Sequence, residues 1–141
     1  MMDLEEMVVQ GLIQKIGPAK DLAEKEFGEA GYDIESARKA FEEKDYKWTI
    51  VKAYYAVFHS AKGIMFLMGF REKSHFAVGQ FLDTLSKDGK LENRYANDFK
   101  AAMSARQGAD YHYDYSKEKA EQVILLAEEF IERMEELRNK L

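Results

Sequence analysis

The chain contains no cysteine, which excludes disulfides, thiolate metal sites and cysteine nucleophiles and agrees with a cytoplasmic setting. Proline occurs once, at Pro18, so almost nothing interrupts helix formation. Apolar–polar alternation never lasts long enough to predict a sheet. The opening MMDLEEMVV has no basic-then-apolar run of the kind a secretory leader requires. Glycines stand singly beside helices, so no phosphate-cradling loop is present, and serine-hydrolase and kinase signatures are missing. The longest apolar stretch, Trp48 to Met68, is broken by Lys52, His59, Lys62 and Gly63, and no membrane span is expected. A surplus of positive charge is absent as well. Net charge is −5, with 6 basic and 12 acidic side chains in residues 1–45, 10 and 7 in 46–115, and 5 and 7 in 116–141. A uniformly basic nucleic-acid binder is excluded, but a local phosphate site in the mildly basic middle is not.

What remains is helix. A chain of 141 residues can bury a core without staples, and a single domain is expected, with residues 1–17 as a helical extension. Leu4, Met7, Val8, Leu12 and Ile16 predict a first helix over about Asp3 to Ile16, ended by Gly17-Pro18. A second, from about Ala19 to Lys44, carries the stripe Leu22, Ala23, Phe27, Ala30, Ile34, Ala37 and Phe41. Gly28 and Gly31 weaken it, and are read as permitting close helix contact or a kink. The third is Trp48–Met68, apolar on nearly every face and therefore central. Phe70–Ser74 reads as a charged loop, and Ser74 as the cap of a helix from His75 to about Asp88. A further helical segment from about Leu91 should break near Gly108. Ser116 caps the last helix, whose stripe runs from Ala120 to Leu137. The fold class is all-α, an antiparallel up-and-down bundle of about five helices.

Lys52, Tyr55, His59 and Lys62 form one row on the otherwise apolar central helix. The row either faces a functional site or satisfies internal hydrogen bonds. Arg106 continues the buried row Tyr95, Phe99, Ala102/Met103, and a guanidinium there must meet an anion or an acceptor. Asp110, one turn on, is the internal partner; a phosphate gripped bidentately is the external one. His112 follows Arg106 after five residues, beside Tyr111, Tyr113 and Tyr115. Histidine exchanges protons near neutral pH, and arginine can stabilise a pentacoordinate phosphorane. The pair suffices for metal-free RNA cleavage in which the ribose 2′-OH is the nucleophile. His75 opens a helix, where backbone N–H groups attract anions. None of the three histidines is helix-spaced with another histidine or a carboxylate, so neither a metal nor another cofactor is expected.

Two segments, AYYAVFHSAKGIMFLMGF with Ser74-His75 and RQGADYHYDYSKEKAEQVILLAEEFIERMEEL, resemble the HEPN (higher eukaryotes and prokaryotes nucleotide-binding) superfamily, specifically its small stand-alone prokaryotic branch. The resemblance covers about Ala19 to Leu137. It implies a bundle of four to five helices pairing as a homodimer, with R-x4–6-H motifs converging at the interface. It also implies a metal-independent endoribonuclease, or a toxin whose partner is a nucleotidyltransferase antitoxin. Carried over by position, Arg106 and His112 are the catalytic pair. Gln107 is polar, as that position generally is, although asparagine or aspartate is more usual. In this branch the arginine is followed by Ala-Asp-Tyr, here Ala109-Asp110-Tyr111, and the histidine is less regular. The alternative is then a non-catalytic module binding a nucleotide or RNA end through Arg106, Asp110, Tyr111, Tyr55 and His59. Nucleotidylation of motif tyrosines in related toxin systems makes Tyr111, Tyr113 and Tyr115 candidates for modification. A pure interaction scaffold, with its polar cluster wholly self-paired, is a third reading.

Overall fold

The computed structural model describes residues 2–141. Helix α1 (Leu4–Val9) and strand β1 (Ile13–Lys15) precede α2 (Lys20–Glu42), α3 (Tyr46–Met68) and strand β2 (Phe70–Glu72). Helices α4 (His75–Lys87), α5 (Asn93–Tyr111) and α6 (Lys117–Arg138) complete the chain. The fold is the all-α bundle the periodicity predicts, with a small two-stranded ribbon added. Short connections join α2 to α3 and α5 to α6, so each pair folds back antiparallel.

Helix α3 packs against α2, α5 and α6 and also touches α4 and β2. Its composition dictates that position: Ile50, Tyr54, Val57, Ile64 and Met65 are buried on several faces at once. Side-chain caps start its neighbours, with Ser74 Oγ accepting from Ala77 N at 3.1 Å and Ser116 Oγ accepting from Lys119 N at 3.1 Å. Asp45 Oδ1 accepts from Trp48 N at 3.4 Å at the head of α3 itself.

The N-terminal segment departs from its helical reading. Helix α1 ends at Val9, and Gly11 takes φ +75°. The chain then runs extended as β1, antiparallel to β2, with Ile13 opposite Glu72 and Lys15 opposite Phe70. Residues read as a charged loop are thus a strand partner. Three residues are too few for alternation to show; the pairing is tertiary. Gly69 ends α3 at φ +92°, and its carbonyl accepts from Ile16 N at 2.8 Å and Gly17 N at 3.1 Å. A Cβ at Gly69 would lie 3.0 Å from the backbone of Gly17 and Pro18, so glycine is required twice over.

The glycines of α2 also differ from expectation. Nothing lies within 4 Å of a Cβ built on Gly28 or Gly31, both of which face solvent. Close helix contact is made instead by Gly63 on α3, where a Cβ would meet the Phe27 ring at 2.7 Å. Helix α5 does not break at Gly108 but continues to Tyr111.

Candidate functional site

The polar row of α3 lies half-buried along one side of the bundle, met by α2, by the first residue of α4 and by α5. His59 is held on both nitrogens. Its Nδ1 is 2.5 Å from Glu26 Oε2, and Nε2 is 3.7 Å from Asp33 Oδ2. Lys62 bridges Glu26 Oε1 at 3.3 Å and Glu72 Oε2 at 3.4 Å. Burial opposes a charge on His59, but the Glu26 hydrogen bond and the charges of Glu26, Asp33 and Glu29 outweigh it and raise its pKa. Burial likewise opposes the Glu26 carboxylate, and the bond from His59 with the charge of Lys62 reverses that and lowers its pKa. Asp33, farther from its partner, does not recover what burial costs, and its pKa is raised.

One turn before His59 the surroundings become aromatic. His75 stacks on Phe58, centroids 4.1 Å apart and planes at 12°, with Tyr55 edge-on at 6.2 Å. Its Nδ1 lies 2.5 Å from the Tyr54 hydroxyl. Burial, then the charge of Arg106, lowers the His75 pKa, which favours the neutral ring.

Arg106 completes the cluster from α5. Its guanidinium lies 5.6 Å from the Tyr54 centroid and 5.8 Å from that of Tyr55. Nε donates to Asp110 Oδ2 at 3.1 Å. The two terminal amines have no hydrogen-bond partner among the described residues and are not sealed from solvent. Asp110 is thus the internal partner expected for this arginine, and it occupies only the Nε side of the fork.

The fold thus gathers Tyr55, His59, His75, Arg106 and Asp110 along one face. It does not bring His112 to them. Because α5 runs unbroken through Gly108, a separation of six residues turns His112 about 240° around the axis from Arg106. His112 is the C-cap and opens onto a separate recess of about 230 Å³, lined by Ser104, Gln107, Gly108, Asp114 and Lys119 among others. Tyr111 and Tyr113 are exposed at 69% and 76%.

Sequence reasoning passed over Tyr54, Phe58, Glu26 and Asp33. The signal for the acids was there: Glu26, Glu29 and Asp33 sit three and four apart beside the apolar stripe of α2. Glu29, Asp33 and His59 each bring a ligand atom within 4.8 Å of the others. Spacing within a single helix could not reveal that group, because it spans two. A cation there would require His59 to give up the proton that the same carboxylates stabilise.

The fold is thus a helical bundle in which a half-buried arginine, braced by Asp110, lies near two histidines. The chain belongs to the HEPN family: the HEPN domain model matches residues 23–137, leaving α1 and β1 outside. It is 32% identical over 104 residues, 72% of this chain and 78% of the relative, to the protein named "Putative toxin MJ0605" from Methanocaldococcus jannaschii. It is 27% identical over 109 residues, 76% of this chain and 87% of the relative, to a "UPF0332 protein" from Archaeoglobus fulgidus. No helix among the described residues is long and apolar enough to cross a membrane.

Proposed function

We propose that the chain is a toxin-like HEPN protein acting on RNA as a metal-independent endoribonuclease. On this reading it works as a homodimer, with a nucleotidyltransferase antitoxin as its partner. The observation that carries the reading is the half-buried Arg106, whose free amines are aimed by Asp110 and two tyrosine rings. Arg106 binds the phosphodiester and steadies charge as the 2′-OH attacks phosphorus and the 5′-oxygen leaves. On this reading the dimer interface brings His112 of the partner subunit to Arg106. That histidine takes the 2′-OH proton and returns it to the departing 5′-oxygen, giving a 2′,3′-cyclic phosphate and a 5′-OH. Membership of the family and the toxin name borne by one relative support the role.

A second reading is favoured by the placement of His112 on a recess apart from Arg106. It makes the chain a nucleotide-binding module without turnover, using Arg106, Asp110, Tyr111, Tyr55, His59 and His75. One experiment separates the two: RNA incubated with purified protein in EDTA, against Arg106→Ala and His112→Ala. Ribonuclease action predicts cleavage by wild type and a loss of about 10²-fold or more in each variant. Intact RNA with saturable nucleotide binding lost in Arg106→Ala would replace it with the second reading.

A further inference from the structure

Tyr54 is fully buried in α3, yet it carries a hydroxyl whose hydrogen must be placed. Burial drives its pKa far above the ordinary phenol value, so that hydrogen is always present. Among the described residues the only hydrogen-bond partner of the hydroxyl is His75 Nδ1, at 2.5 Å. If Nδ1 carried a proton and donated, the Tyr54 O–H would be stranded in an apolar interior without an acceptor. The bond therefore runs from Tyr54 O–H to the Nδ1 lone pair. A neutral imidazole that accepts at Nδ1 carries its hydrogen on Nε2.

That assignment matters because of where Nε2 lies. It has no partner among the described residues, nor is it sealed from solvent. The ring cannot tumble, being stacked on Phe58 and met edge-on by Tyr55. The Arg106 guanidinium lies over the same two tyrosines that contact His75. We infer that Tyr54 is a positioning residue: it locks His75 in the Nε2–H tautomer, so that His75 and Arg106 present a paired set of hydrogen-bond donors to one phosphate group. The phosphate as ligand rests on the function proposed above; the tautomer does not. Both groups lie against the same two tyrosine rings. An oxyanion is matched by such a pair, whereas a cation or a hydrogen-bond donor is not.

The test uses the full chain labelled with ¹⁵N-histidine and long-range ¹H–¹⁵N correlation. His75 should show an unprotonated Nδ1 and a protonated Nε2 at neutral pH, and Tyr54→Phe should convert it to a tautomer mixture. Adenosine 5′-monophosphate should perturb His75 Nε2–H in wild type and bind about fivefold to tenfold more weakly in Tyr54→Phe, the loss of one aligned hydrogen bond. Should Tyr54→Phe fail to fold, His75 itself supplies the control. A glutamine amide reaches the Nε2 position and an asparagine amide the Nδ1 position, so His75→Gln retains most binding and His75→Asn loses it. A protonated Nδ1 in wild type overturns the assignment of Tyr54 whatever binds. A protonated Nε2 with no binding of the nucleotide or of RNA overturns the proposed function and leaves Tyr54 in its role.

Discussion

At the scale of single residues, His59 shows how a polar group is kept inside a helix built for the core. It is faced by Glu26, Glu29 and Asp33 from α2 and by Lys62 from its own helix. Because its folded pKa lies above its unfolded value, its contribution to stability is complete below the ordinary histidine pKa of about 6.5. It is lost as pH rises through the folded value. The urea midpoint gap between wild type and His59→Gln should therefore be widest in mild acid and shrink toward alkaline pH. A gap that stays constant would mean that folding leaves the His59 pKa at its unfolded value. Arg106 makes a different demand. Lysine at that position keeps the charge but cannot bond Asp110 and a phosphate with one planar fork. Arg106→Lys should weaken nucleotide binding about tenfold, read by calorimetry, while unfolding shifts by less than about 1 kcal/mol.

At the scale of elements, the α2–α3 hairpin holds the site's acids against its histidine. Its closest approach is Gly63 beneath Phe27, a ring also covered by Arg138 at 4.2 Å. Gly63→Ala forces that ring out of a filled interior and should cost about 1–3 kcal/mol in denaturant unfolding. Gly28→Ala and Gly31→Ala should act in the opposite direction, each adding about 0.5–1 kcal/mol, since both positions are open and helical. The sequence shows glycines where a helix is weakened, but not which of them touches another helix. That distinction depends on the rotation of α2 against α3. The same limit applies to Arg106 and His112. Their spacing was plain, but their relative direction followed only once α5 proved continuous through Gly108.

At the scale of the whole molecule, the segment outside the family match is part of the core. Met7 and Ile13 are buried, Thr84 Oγ1 donates to Met2 O at 2.9 Å, and β1 covers the strand that follows α3. Removing residues 2–16 should lower stability by about 3 kcal/mol or more, because two large apolar side chains leave the interior. Thermal unfolding of the truncated chain checks this; an unchanged midpoint would make the segment dispensable. Assembly belongs to the same scale. A homodimer, proposed above, predicts a mass of twice 16.3 kDa in light scattering. A monomer that still binds nucleotide would remove the interface from the proposed mechanism.

The sequence by itself determined helices α2 to α6, their capping serines, the centrality of α3 and the polar row along it. These follow from periodicity and from groups a few residues apart, which the backbone brings together whatever the rest of the chain does. Tertiary structure alone decided that β1 pairs with β2, that Glu26 meets His59, that Tyr54 donates to His75 and that His112 stands away from Arg106. Each of these depends on how far one element is rotated or slid against another. Side-chain packing across the whole core sets those degrees of freedom, and a local pattern carries no record of them.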